Sequence, residues 1–331
     1  MSEDTNTANI IRGCWQLALG HSDLNADIEP ILDAVGSGFT TFDCADIYLG
    51  VEELLGKAAR VISDKTLRIH TKFVPDLNCL QHIDRKYVEN IIHRSLNRLQ
   101  VECIDLVQFH WWNWEVKHYL QVMEWLFELK AQGKIAKIGL TNVNTQYLQE
   151  FLAYFDIASL QTQVSLFDSR VARGLDGLCR KNNIKIFGYG ALLGGFVNEK
   201  WLGQKEPKPE QLANRSLVKY KLLIDSACGW DEFQRRLNIL KQLAIQYHCD
   251  IANIAIAALL QMGRADAVIV GLSPKNFSLQ NQNLAKLPVL NTEDLTTISA
   301  WTCHLLGDAY DAERDAHGMH AKIMKYNLNA Q

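Results

Sequence analysis

Apolar positions along the chain fall into short runs separated by stretches with helical spacing. Residues 10–16, 38–43, 67–72, 104–109, 137–140, 159–164, 184–188 and 267–270 read as strands. Residues 27–36, 51–60, 85–99, 117–132, 145–155 and 174–182 read as helices between them, as do 233–247 and 251–262. Over 85–99 the repeat is Val88, Ile91, Ile92, Leu96 and Leu99, one face of a helix. The helix at 117–132 is expected to stop at Gly133, with Lys130 and Lys134 suiting the negative end of its dipole. Residues 198–229 are long and polar and carry Pro207 and Pro209, which predicts an excursion over one face rather than a linker. Residues 291–331 predict one further helix and then a polar tail.

Strands alternating with helices predict a parallel sheet. Eight strands in one unbroken rhythm favour a closed (β/α)8 barrel, the TIM-barrel form of the α/β class. The 331 residues suit a single domain, with its core at about 10–290 and the tail at 291–331. In such barrels chemistry gathers at the C-terminal ends of the strands.

Composition narrows the partners. The net charge of −3 gives no basic footprint for nucleic acid. No apolar run approaches the roughly 20 residues that span a bilayer, and the polar start MSEDTNTANI does not resemble a signal peptide. The eight cysteines, at 14, 44, 79, 103, 179, 228, 249 and 303, have no CxxC spacing. Free thiols in a reducing, cytoplasmic setting are expected, with no metal site and no membrane.

The stretch 38–57, GFTTFDCADIYLGVEELLGK, organises the candidate chemistry. Asp43 ends a strand, and Tyr48 follows a short polar turn. Later strands end at Lys72, His110 and Asn142. Each alone has an ordinary explanation: an aspartate caps a turn, a lysine is a solvated charge, a histidine packs. Together, at successive strand ends, they suit proton transfer. A phenol, with a reference pKa near about 10, donates poorly at neutral pH unless tuned. A neighbouring ammonium lowers that value and burial raises it. Lys72 can supply that charge and Asp43 can hold the lysine in place.

These residues resemble the aldo-keto reductase family. The resemblance runs from Asp43-x-Ala45-x-x-Tyr48 and Gly50-x-Glu52-Glu53-x-x-Gly56 through Thr71-Lys72 and Gln108-Phe109-His110-Trp111. It continues through Gly139-Leu140-Thr141-Asn142, Gln161, residues 189–195 and Ile269-Val270-Gly271, covering about residues 10–285. It implies a catalytic tetrad of Asp43, Tyr48, Lys72 and His110, with Tyr48 as general acid and no metal. It also implies that Thr141, Asn142 and Gln161 hold a nicotinamide carboxamide, and that Tyr189, Gly190, Ala191, Leu192 and Gly194 face a pyrophosphate. Gly271, Ser273 and Lys275 would lie by the adenosine phosphate, with a helix starting near Lys275. The adenine would meet Asn281 or Asn283; Asn283 is taken into the expected set.

Three positions depart from the family pattern. Val164 stands where a tyrosine usually stacks on the nicotinamide. Ser273 and Gln280 stand where arginines grip a 2′-phosphate, leaving Lys275 as the local cation. NADP(H) remains the expected cofactor ahead of NAD(H). Trp15 and Trp111 are candidate walls of a substrate pocket, and the tail at 308–320 is expected to cover the mouth. The implied function is NAD(P)H-dependent reduction of a small-molecule aldehyde or ketone, or oxidation of the alcohol, with oligomerisation left open. The alternative is a nucleotide-sensing subunit like the β subunits of potassium channels.

Overall fold

Eight parallel strands follow one another around a closed barrel, in the order β1 to β8, in the computed structural model. It describes residues 6–19, 27–62, 66–212, 214–315, 317–323 and 326–329. In chain order the elements are β1 (Ile10–Gly13), α1 (Glu29–Gly36), β2 (Thr41–Asp43), α2 (Val51–Ile62), β3 (Arg68–Phe73) and α3 (Arg85–Leu99). There follow β4 (Leu106–Phe109), α4 (Tyr119–Ala131), β5 (Ile138–Thr141), α5 (Thr145–Leu152), β6 (Ser159–Gln163), α6 (Leu175–Lys181) and β7 (Lys185–Tyr189). Helices α7 (Arg215–Ala227), α8 (Trp230–Gln246) and α9 (Ile251–Gln261) then precede β8 (Ala267–Gly271), and α10 (Phe277–Leu284), α11 (Thr292–Ser299) and α12 (Asp311–Arg314) end the list. The expected (β/α)8 barrel is therefore the fold.

Local chemistry explains where the elements stop. Asp84 caps α3 by accepting from the Tyr87 backbone N–H at 2.8 Å. Asn144 does the same for α5 from Tyr147 at 3.1 Å. Gly133, just past the end of α4, has φ +76°, a left-handed position that suits glycine. Strands β1, β4, β5 and β6 are buried along their whole length, as parallel strands covered by helices should be.

Three boundaries differ from the sequence expectation. Strand β1 ends at Gly13, and Trp15–Leu17 is a 3-10 turn, because Cys14 N–H makes the last ladder bond, to the Asp43 carbonyl at 2.8 Å. Strand β2 starts only at Thr41; Phe39 N–H is spent on the end of α1, donating to Ala34 O at 3.1 Å. The 198–229 excursion contains α7, capped by Asn214, whose Leu217, Tyr220, Leu223, Ile224 and Ala227 are buried. The tail carries α11 and the short α12; the expectation for 291–331 also covers 316, 324–325 and 330–331, which lie outside the described residues. No single described helix is long and apolar enough to cross a membrane, and α8 with α9 meets the length only as a pair bent by 94°.

Two compact units can be distinguished. Ile10–Gln161 forms one, with Gly271–Gln282 and residues 326–329; Thr162–Val270 forms the other, with residues 6–9 and 283–323.

Candidate active site

The first unit brings Asp43, Tyr48 and Lys72 together. Strand register places Asp43 beside His70 and Lys72 beside Gln108, so adjacent strand ends present a carboxylate, an ammonium and an amide. Lys72 Nζ donates to Asp43 Oδ2 and to the Cys44 carbonyl, both at 2.7 Å. It stands 5.3 Å from the centre of the Tyr48 ring. On the other carboxylate oxygen, Oδ1 accepts from Gln108 Nε2 at 3.0 Å and from Gln161 Nε2 at 2.6 Å. Asp43 and Lys72 are 4% and 6% exposed, so this ion pair is almost out of water.

That burial decides the electrostatics. Burial works against the Lys72 ammonium, but Asp43 and Tyr48 outweigh it and raise its pKa, so the lysine stays charged. The Tyr48 phenol is pushed up by burial; Lys72 pulls the other way and Asp43 adds to the rise. With this arrangement Tyr48 holds its proton at neutral pH. Cys44 is buried beside them, its thiol pushed well up by burial and by Glu52. It is therefore a protonated core thiol rather than a nucleophile.

His110, 3% exposed, lies just past the end of β4. Its Nδ1 stands 3.5 Å from the Thr141 carbonyl oxygen, and its ring meets Trp112 edge-on with centroids 4.2 Å apart. Trp15 packs on Tyr48, centroids 4.7 Å apart, and is half-buried, in keeping with a pocket wall. Trp111 is placed differently. It is fully buried, stacks on Phe109 at 5.7 Å, and gives its indole N–H to the Val116 carbonyl at 3.1 Å. It is core packing, and the half-buried Trp112 takes the place beside His110.

The expected cofactor residues divide into groups. Thr141 ends β5, and Asn142 follows in the left-handed region at φ +58°, its N–H donating to the Gln161 carbonyl at 3.0 Å. Gly271 is pressed by Gln16: a Cβ there would stand 2.3 Å from Gln16 Nε2. The Ser273 hydroxyl accepts from Lys275 N–H at 3.1 Å, and Lys275 is exposed two residues before α10 begins. Gln280 is occupied, accepting from Arg12 Nη2 at 3.0 Å and donating to the Gly271 carbonyl at 3.2 Å. Asn281 donates to Asp33 at 2.8 Å.

In the second unit, the loop after β7 holds Gly190 at φ +80° and Gly194 at φ +62°. A Cβ on either would come within 2.7 and 2.6 Å of the Tyr220 side chain, so these glycines also let the loop close on α7. Lys219 lies 5.0 Å from the centre of the Tyr189 ring, 5.1 Å from Tyr220 and 5.7 Å from Tyr310. Ala191 is buried and Leu192 partly so. Asn283 gives its amide to Asp250 at 2.6 Å, a bond at the start of α9.

The tail is locked at the ends of β6 and β7 by buried charge. Arg170 forks onto Asp168, with Nε to Oδ1 at 3.0 Å and Nη2 to Oδ2 at 2.8 Å. It reaches Glu313 of α12 through Nη1 to Oε2 at 3.2 Å and Nη2 to Oε1 at 3.1 Å. Gln163 donates to both acids, at 3.0 and 2.9 Å.

Sequence reasoning gave no role to Gln108, which it met only as part of a motif, or to the Cys44 carbonyl, and it left Trp112 between pocket wall and packing. The signal for Gln108 was present: a polar side chain inside a wholly apolar, buried strand must find a partner. The Cys44 carbonyl carries no sequence signal.

Comparison with known proteins gives the family. The model of the aldo/keto reductase family matches residues 9–302. A probable aldo-keto reductase 1 of Glycine max is 29% identical over 302 residues, covering 86% of this chain and 83% of its own. An NADH-specific methylglyoxal reductase of Escherichia coli is 24% identical over 307 residues, covering 82% and 90%. The crystal structure of an aldo-keto reductase from Klebsiella pneumoniae in complex with NADPH superposes with a TM-score of 0.63 at 20% identity, over 88% of this chain and 89% of that one. With a family match across most of its length and a barrel whose strand ends carry the aspartate, tyrosine, lysine and histidine, this chain belongs to the aldo/keto reductase family.

Proposed function

We propose that the chain reduces aldehydes or ketones to alcohols with a reduced nicotinamide cofactor, and that Tyr48 is the general acid. The observation that carries this reading is Lys72. An ammonium has three donors; two are spent at 2.7 Å on Asp43 and the Cys44 carbonyl, and the charge stands 5.3 Å from the centre of the Tyr48 ring. When bound, the nicotinamide supplies the hydride. Negative charge growing on the substrate oxygen then draws the Tyr48 proton, and Lys72 stabilises the phenolate left behind. Asp43 keeps the lysine in place, and Gln108 and Gln161 keep the carboxylate aimed. His110 polarises the carbonyl oxygen from the side. Donation from Nε2 requires a proton there, so the ring acts either as the Nε2–H tautomer or as imidazolium, with Nδ1 near the Thr141 carbonyl.

The donor set suits a nicotinamide. Thr141 and Asn142 offer a hydroxyl and an amide at the end of β5, and Gln161 keeps its carbonyl after its N–H is spent on Asp43. Tyr189, Gly190, Ala191, Leu192 and Gly194 are assigned to the pyrophosphate side, and Gly271, Ser273 and Lys275 to the adenosine side. Asn283 is the least suited of the set, because its amide already bonds Asp250. Val164 is buried and has no flat ring to stack; the carboxylate, ammonium and phenol gathered at Asp43, Lys72 and Tyr48 favour an enzyme over a nucleotide-sensing subunit. Relatives of both cofactor types occur, and the exposed Lys275 supports NADPH as the preferred one.

The test is Tyr48→Phe in a mixed-carbonyl assay with each cofactor. Turnover by the wild type, lost in the variant with cofactor affinity retained, is the expected result. Turnover that survives the substitution removes Tyr48 from the acid's role. A wild type that binds nicotinamide tightly and turns nothing over favours the sensing subunit.

A further inference from the structure

We propose that Trp112 is a positioning residue for His110, and that residues 326–329 hold it in place; the catalytic part of this inference rests on the reductase reading above. Imidazole χ2 is a broad torsion, so packing must fix the ring's angle. The Thr141 carbonyl, at 3.5 Å from Nδ1, is too distant to do so alone. Trp112 packs on this ring, edge-on to His110 at 88° with centroids 4.2 Å apart.

Trp112 is itself held from two sides. Its indole N–H donates to the Pro75 carbonyl at 2.7 Å, and Tyr326 packs edge-on against it, centroids 5.2 Å apart at 82°. Tyr326 belongs to a segment fastened by directed bonds to residues 74–78, the loop that leaves β3 just after Lys72. Leu77 N–H donates to the Tyr326 carbonyl at 2.9 Å, and Asn78 N–H to Asn327 Oδ1 at 3.1 Å. Asp76, 4% exposed, accepts the N–H groups of Leu328 and Asn329 on one oxygen, at 2.7 and 2.8 Å. Asn329 Nδ2 donates to the Val74 carbonyl at 2.5 Å. A buried carboxylate taking two N–H groups of a segment about 250 residues away in sequence fixes that segment's register. The segment therefore joins the loop after β3, the strand that carries Lys72, to the loop after β4, which starts at His110, and reaches the histidine through two rings.

Four variants test this: Trp112→Ala, Trp112→Phe, Tyr326→Ala and Tyr326→Phe, each in the full chain. The His110 imidazole proton resonances, assigned with His110→Gln, report the ring's placement without any turnover. Tyr326→Ala and Trp112→Ala are expected to shift or broaden these resonances and to lower kcat about tenfold or more, with the dissociation constant for NADPH unchanged. The phenylalanine variants keep an edge-on ring and should retain most of both signals. An unmoved His110 resonance in Tyr326→Ala overturns the inference whether or not the protein turns over. A shifted resonance with unchanged kcat, in a wild type that does turn over, overturns the catalytic half. Should Trp112→Ala fail to fold, Tyr326→Ala at its partly exposed position decides the question alone.

Discussion

The side-chain amide of Gln161 donates to Asp43 Oδ1 at 2.6 Å, so a residue expected to face the cofactor also braces the carboxylate that holds Lys72. Gln108 does the same from β4 at 3.0 Å, without a cofactor role. Hydrogen bonds to a charged group contribute about 1.5–3 kcal/mol each. Gln108→Leu is therefore expected to lower kcat about tenfold with cofactor affinity unchanged, whereas Gln161→Leu should lower kcat and weaken cofactor binding together. Steady-state kinetics and fluorescence titration of the cofactor separate the two. Equal effects of both substitutions on cofactor affinity would contradict this division of labour.

Lys72→Met leaves Asp43 buried with only its two amide partners. Removing one member of a buried ion pair costs about 3–5 kcal/mol, because the other charge stays uncompensated. The expected result is loss of carbonyl reduction together with a lower melting temperature. Adding Asp43→Asn removes the stranded charge, so the double variant should regain much of the stability and none of the activity. Thermal denaturation of the two variants side by side is the check, and a double variant less stable than Lys72→Met argues against a stranded charge.

The tail lock predicts a specific acid response. Burial tends to raise the Glu313 pKa, but Lys219 and Arg170 outweigh it and bring it from 4.5 down to about 2. A depressed carboxylate pKa stabilises the fold above the unfolded value and loses that contribution as pH falls through the folded one. The drop corresponds to about 3 kcal/mol, fully present above about pH 5 and lost progressively toward pH 2. Glu313→Gln should therefore be less stable than wild type at pH 7, and the gap should close in acid. A gap that stays constant between pH 7 and pH 3 would place the stabilisation elsewhere.

The sequence carried the barrel, and the placing of Asp43, Lys72 and His110 at successive strand ends, because both rest on local patterns. Strand ends are marked by a switch from apolar runs to Asp43, Lys72 and His110, and the helix stop at Gly133 follows from backbone sterics. What it did not carry depends on contacts between distant positions. Trp111 and Trp112 are neighbours in sequence, and only packing against Phe109 and Tyr119 decides that the first is core. The strut from Gln161 to Asp43 spans 118 positions, and the Arg170–Glu313 lock spans 143. Helix α7 was legible in its apolar spacing, but the prolines and glycines before it obscured the pattern.

Cofactor choice gives the last prediction. A 2′-phosphate adds about two negative charges near neutral pH, and its recognition uses charge-assisted bonds. Of the positions expected to meet it, Gln280 is neutral and held by Arg12 and the Gly271 carbonyl, and Ser273 is neutral. Lys275 is exposed, and no ion pair involves it among the described residues, so it is available to a phosphate. One exposed cation supports a preference for NADPH over NADH of about tenfold to a hundredfold, the equivalent of about one such contact. Lys275→Ala should erase that preference and leave NADH affinity as it was. The preference should also weaken as ionic strength rises, since an exposed charge is screened. The measurement is the ratio of the two dissociation constants, for wild type and variant, at one low and one high salt concentration. A ratio that ignores both the substitution and the salt would mean that a different cation reads the phosphate, and a wild-type ratio favouring NADH would exclude the preference altogether.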